Sequence, residues 1–148
     1  MKSYSLFLFL LITSFFYSCS PDMNKDEDLI EKQLKSFAEN YFNFDYSRAL
    51  PFTTPESYPW IRFAVSNVMS NDLDALHEVE EEATASVDDI HLVTDSTATA
   101  VCKMKNVFVS DSIGKGGHLT DEVVYHFNLV KRNGHWLVKM EGLPRSAQ

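Results

Sequence analysis

The stretch EVVYHFNLVKRNGHWLVKME, residues 122–141, alternates apolar and polar side chains on both sides of Asn133-Gly134. Asn-Gly between two such runs is the strongest short-range signal for a two-residue β-hairpin, because both central positions of a type I′ turn need a positive φ. A two-residue loop fixes the register. Arg132 then faces His135, Lys131 faces Trp136, Leu129 faces Val138, Phe127 faces Met140 and Tyr125 faces Gly142. Tyr125, Phe127, Leu129, Trp136, Val138 and Met140 therefore share one face, which is the buried one. The opposite face carries His126 across from Glu141 and Asn128 across from Lys139, with Val130 opposite Leu137 as its one apolar pair.

Upstream of this hairpin the period is also two. Strands are predicted over Thr84 to Val93 and Thr97 to Val109, joined at Asp95-Ser96, and a glycine-rich connection over Ile113 to His118 leads into Glu122 to Lys131 and then His135 to Glu141. Before Ala83 the period is helical. Asp28 and Glu31 make a capping-box-like start, and Ile30, Leu34, Phe37, Ala38, Tyr41 and Phe42 then form one apolar face. Asp45 caps a short turn over Tyr46 to Leu50, stopped by Pro51. Thr54-Pro55 or Tyr58-Pro59 opens a further helix carrying Ile61, Ala64, Val65 and Val68, and a last piece, Asp72 to Val79, presents Leu73, Leu76 and Val79.

Helices first and an antiparallel sheet second make an α+β domain in which helices cover one face of a curved sheet. Asp45-Tyr46 with Ala49-Leu50, Thr54-Pro55-Glu56, and Asn133-Gly134-His135-Trp136-Leu137-Val138 appear in the order and spacing of a known fold. On those residues the chain resembles the cone-shaped nuclear-transport-factor-2-like superfamily over about residues 28 to 143. That superfamily includes ketosteroid isomerases, polyketide-cyclase-like enzymes and many lipoprotein domains. A cystatin-like domain, one helix wrapped by a sheet, is the nearest structural rival.

The first nineteen residues are of another kind. Lys2 precedes an apolar run from Leu6 to Ile12, extended by Phe15, Phe16 and Tyr17. About a dozen residues form a signal-peptide core, whereas a membrane-spanning helix needs roughly 20. Phe16-Tyr17-Ser18-Cys19 resembles a bacterial lipobox, with Phe16 where leucine is usual and Tyr17 where a small residue is usual. The resemblance implies cleavage before Cys19, and diacylglycerol and a palmitate-type acyl chain on that cysteine. More than one chain anchors stably. Residues 1–18 are thus expected to be the signal, 19–27 the lipidated cysteine and an acidic tether, 28–143 the single folded domain, and 144–148 a tail. At ~3.5 Å per residue the tether holds the domain within roughly 30 Å of its lipid. Ser20 after Cys19 resembles lipoproteins sent to the outer membrane of Gram-negative bacteria, so a cell-envelope location is expected.

With 21 acidic against 13 basic residues and a net charge of −8, neither nucleic acid nor an anionic membrane face is an expected partner. Cys102, in phase with Ala98, Ala100 and Met104, reads as core and not as a nucleophile. An isomerase-like cone would need a carboxylate base and acidic donors pointing inward. The inner face of the last hairpin offers only Tyr125 as a polar group, and Tyr41 is its counterpart on the first helix. Tyr41, Tyr125, Phe127 and Trp136 are the candidate pocket-lining residues, and no catalytic residue is assigned. His126 with Glu141 reads as a solvent-face pair, and His77 with Glu80 or Glu81 lacks a third metal ligand. Asp22, Asn24 and Asp26 begin a calcium-loop pattern that fails where Glu27 and Gln33 replace its glycine and closing glutamate. Gly114-Lys115-Gly116-Gly117 lacks phosphate-loop spacing, and no cofactor-binding motif is present.

The reading is a non-catalytic, membrane-tethered module for a small apolar ligand or an envelope protein. An isomerase-like or cyclase-like enzyme using Tyr41 and Tyr125 is the first alternative, and a structural or assembly lipoprotein the second.

Overall fold

The computed structural model describes residues 21–109 and 116–147, with side chains from Asn24 onward. The expected signal segment, the lipobox-like residues up to Cys19 and part of the glycine-rich connection lie outside the described residues. The chain forms a long helix α1 (Pro21–Phe42) and a short α2 (Tyr46–Ala49). Tight 3-10 turns follow at Leu50–Phe52 and Pro55–Ser57, then α3 (Tyr58–Ser66) and α4 (Ser70–His77). The strands are β1 (Thr84–Thr94), β2 (Thr97–Val109), β3 (His118–Arg132) and β4 (His135–Lys139), in one antiparallel sheet of order β1-β2-β3-β4. Register shifts between Val87 and Asp89 and between Leu92 and Thr94 mark bulges that bend the first strand.

The predicted apolar stripe of the first helix packs as expected: Ile30, Leu34, Phe37 and Ala38 are fully buried, with Tyr41 and Phe42 nearly so. The hairpin register is also as predicted from Arg132↔His135 through Asn128↔Lys139. Asn133 and Gly134 have φ of 51° and 79°, the pair of positive angles that the I′ turn requires. All six residues assigned to the inner face of this hairpin are buried.

Four expectations need correction. The stretch 19–27 is not a tether beyond Ser20, because α1 begins at Pro21 instead of Asp28. Proline suits the first helical position, and Asp26 is held by tertiary contacts that local composition does not reveal. Its carboxylate accepts from Lys131 Nζ at 2.7 and 3.0 Å and from Trp136 Nε1 at 3.0 Å, while the same ammonium lies 5.7 Å from the Trp136 ring centroid.

Second, β4 stops at Lys139, so Phe127–Met140, His126–Glu141 and Tyr125–Gly142 are not ladder pairs. The chain leaves the sheet after Lys139, and Ser146 returns to pair with Tyr125 while Ala147 N donates to Val124 O at 2.8 Å. The tail 144–148 thus rejoins the sheet as far as Ala147. Third, β3 starts at His118, four residues before the predicted Glu122. Fourth, Leu73 on α4 is exposed, and it is the acid Asp72 that is buried. Asp72 Oδ2 accepts from Met69 N at 2.9 Å, so burial follows the helix start and not apolarity.

Helix α1 ends in a Schellman arrangement, with Asp45 N donating to Asn40 O and Phe44 N to Tyr41 O. Phe44 takes the left-handed position at φ 61°, where glycine is usual. Ring contacts to Tyr46 and Phe108 at about 6 Å hold it there.

Lys131, then Trp136, draws the Asp26 pKa below its ordinary value. A carboxylate whose folded pKa is depressed stabilises the fold above its unfolded pKa, and that contribution is lost as pH falls through the folded value. Asp26→Asn is therefore expected to reduce the difference between the urea midpoints measured at pH 6 and pH 3. An unchanged difference would show that this latch carries no proton linkage.

Candidate functional site

Three of the four predicted pocket residues meet. Tyr41 stands on α1 between Phe37, at 5.4 Å between ring centroids, and Tyr46, at 5.2 Å. Phe37 packs edge-on against Phe127 at 5.7 Å, and Tyr125 packs on Phe42 at 4.5 Å and on Phe127 at 6.3 Å. Such offset and edge-to-face spacings are those of a packed aromatic core. Trp136 lies apart, against the first turns of the helix: Asp26 and Tyr41 are separated by about 22 Å at 1.5 Å of rise per residue.

Burial first, then Tyr46 and Tyr125, raises the Tyr41 pKa well above the ordinary tyrosine range. Burial also raises Tyr46, with the Asp72 carboxylate adding to it, and pushes Tyr125 up to about 12. Near neutral pH all three phenols are protonated, so each is a hydrogen-bond donor and none is a base. Asp72 is the one buried carboxylate among the described residues. Three polar side chains lie beside β4: Thr54 Oγ1 and Ser57 Oγ are 2.9 Å apart, Ser57 Oγ accepts from Met140 N at 2.8 Å, and Thr53 Oγ1 donates to Leu50 O. They splice the helical segment onto the last strand. No buried side-chain polar atom lacks a partner among the described residues.

A second candidate is a polar cleft of about 300 Å³ between α1, α2 and the start of β1, lined by Glu39, Asn40, Asn43, Asp45, Arg48 and Glu82. Asn43 clamps the sheet edge there, donating to Ala83 O and accepting from Ala83 N, both at 2.9 Å, while Glu39 Oε1 accepts from Ala85 N at 3.3 Å. The amide of Asn43 stands in for a neighbouring strand, which shields the first exposed donors of β1. Arg48 Nε lies 3.3 Å from Asp45 Oδ2. Three carboxylates and one guanidinium suit a polar ligand that donates hydrogen bonds.

His126 is exposed and faces Val101 on β2, while Glu141 is bound to Lys139 Nζ at 2.7 Å, so these two do not form a pair in the ladder. His77, Glu80 and Glu81 are exposed, and Glu81 accepts from Asn106 Nδ2 at 2.9 Å. Asp26, the third member of the calcium-like triplet, is bound to Lys131 and Trp136 within a helix. Cys102 is fully buried, and burial pushes its thiol up to about 12, which leaves it an inert core group.

Asp72, Ser57 and the Asn43 clamp went unread at the sequence level. Only Asp72 had a local signal, an acid three residues after the start of a helical pattern.

An NTF-2 like protein of unknown function from Shewanella oneidensis MR-1 superimposes with a TM-score of 0.54 at 14% identity, covering 83% of this chain and 99% of that one. A protein of unknown function from Mycobacterium tuberculosis superimposes with a TM-score of 0.49 at 13% identity, covering 88% and 78%. No protein-family model matches the sequence, and no curated protein does. The first likeness shows the fold: a single nuclear-transport-factor-2-like domain of helices on a curved four-stranded antiparallel sheet.

Proposed function

We propose that this protein is a non-catalytic binding module of the cell envelope, tethered to the membrane by lipid on Cys19 and acting through its outer surface. The carrying observation is the contact between Phe37, Tyr41, Phe42, Tyr125 and Phe127, whose ring centroids lie 4.5–5.7 Å from their neighbours in a continuous chain. The side chains that would line a ligand pocket pack on each other instead, and their phenols hold protons too firmly to act as bases. An envelope protein or the bilayer itself is therefore favoured as partner over a small apolar molecule inside the cone. Native mass spectrometry of the purified full chain should show the protein with its covalent lipid alone. A stoichiometric apolar molecule carried through purification would overturn the surface reading.

Metabolic labelling with a fatty acid should mark the wild type and leave Cys19→Ala unmarked; a labelled variant would end the lipoprotein reading. Fractionation should recover the protein with the outer membrane, and recovery with the inner membrane alone would defeat that location.

One observation favours a second reading, an isomerase-like enzyme. Asp72 is a buried carboxylate whose charge helps keep the Tyr46 phenol protonated, and Tyr46 packs edge-on against Tyr41. A base beside two donors is the constellation that enolisation requires. Deuterium exchange at the α-carbon of a cyclic enone, abolished in Asp72→Asn, would establish it, and absence of exchange in the wild type would remove it.

A further inference from the structure

Among the described residues, five of the seven exposed large apolar side chains fall within the twenty-residue segment Tyr58–His77: Trp60, Phe63, Val65, Met69 and Leu73. Isolated exposed apolar residues are ordinary, whereas two that touch each other on one helix, Trp60 and Phe63, form a small contiguous patch. Trp60 and Phe63 are one helical turn apart on α3, their rings 6.4 Å apart and perpendicular, and they remain 36% and 38% exposed while Ile61 and Ala64 bury the inner side. The ring pair stands on a flank of the helix, with more than a third of each side chain open to solvent. In a chain of net charge −8, α3 has no acidic residue, and its one charge is Arg62, exposed and next to Phe63 in the chain.

Two contacts made by adjacent residues of one hairpin tie the start of α1 and the turn before α3 to the same end of β3. Lys131 binds Asp26 on the first turns of α1, and Arg132 Nη1 binds Glu56, four residues before Trp60, at 2.8 and 2.9 Å. Ser20 alone separates Cys19 from the first residue of α1. Resting on the lipid anchor proposed above, we propose that the Trp60–Phe63 flank of α3 is a membrane-docking surface that seats in the headgroup layer beside the acylated cysteine. The anchor keeps the bilayer within reach of this flank at all times. An indole and a phenyl ring flanked by arginine suit the boundary between headgroups and acyl chains, where aromatic rings concentrate and arginine meets phosphate. With the tether reduced to one residue and α1 latched to the sheet by Asp26, docking would fix how the module faces its partners.

The test uses the full lipidated chain reconstituted in phosphatidylethanolamine–phosphatidylglycerol vesicles with bromine in the upper acyl segment. Bromine quenches only tryptophan that reaches the bilayer, and the second tryptophan, Trp136, is 1% exposed and serves as the internal control. Quenching is expected in the wild type and is expected to be lost in Trp60→Phe, which keeps an aromatic ring and the fold. Wild-type emission that bromine leaves unchanged, or quenching that persists in Trp60→Phe, would overturn the proposal. So would a dimer whose Trp60 emission is shifted to the blue but unquenched, which would assign the flank to a second copy. Acyl labelling of Cys19 separates the two readings. A labelled chain without quenching defeats docking and leaves the anchor standing, whereas quenching of an unlabelled chain upholds docking and defeats the anchor.

Discussion

Trp136→Ala is expected to destabilise the fold by about 3–5 kcal/mol, the range measured when a large buried aromatic is truncated. The residue is 1% exposed, its ring carries the Lys131 ammonium at 5.7 Å, and its indole N–H is one of the donors to Asp26. Truncation therefore opens a cavity under α1 and removes a hydrogen bond from the carboxylate that holds the helix start. Against a typical domain stability of about 5–15 kcal/mol the variant would be marginal. Urea denaturation should show a much lower midpoint with an unchanged slope, since the surface exposed on unfolding stays nearly the same. Trp136→Phe separates the two effects: it keeps most of the packing and should cost about 1–2 kcal/mol, chiefly for the lost hydrogen bond. A midpoint for Trp136→Ala close to that of the wild type would show that the start of α1 is held by something other than this corner.

Tyr125→Ala should cost a similar amount, about 3–5 kcal/mol, because Tyr125 is 4% exposed and its ring packs on Phe42 and Phe127. Tyr125→Phe keeps the ring and is expected to change stability by less than about 1 kcal/mol at pH 7. The contrast distinguishes a core tyrosine from a functional one. Its pH dependence can be stated in advance. Burial pushes the phenol up to about 12 from an ordinary value of 10, so the folded state favours the neutral form. That contribution is fully present below pH 10 and is lost as pH rises through the folded pKa near 12. Denaturation midpoints should fall across this window in the wild type and fall less in Tyr125→Phe. An equal fall in both proteins would assign the alkaline limb to Tyr41 and Tyr46 instead.

Helix α1, strand β2 and the last hairpin were legible because each is specified by neighbours in sequence. The apolar stripe from Ile30 to Phe42 repeats at the helical period, and β2 alternates from Thr97 to Lys105, until Asn106 at φ 53° interrupts it. Asn133-Gly134 encodes positive φ at adjacent positions, and a two-residue loop leaves one register. The inner face of the hairpin was legible for the same reason, and with it the scarcity of inward ionisable groups on these strands. The candidate site was legible only in part. Tyr41, Tyr125 and Phe127 were identified, but periodicity could not say whether their rings would enclose a space or fill it.

Local sequence specified the order of helices and strands, the hairpin register and the buried faces of α1 and of the last hairpin. The folded chain alone shows that α1 reaches back to Pro21, that Asp72 is buried, that Trp136 stands apart from the other aromatic residues, and that Trp60 and Phe63 stay more than a third exposed. The division has one physical cause. Backbone periodicity and turn chemistry act over a few residues, whereas Asp26 finds Lys131 and Trp136 across 105 and 110 positions of chain, and only the folded sheet brings those partners together.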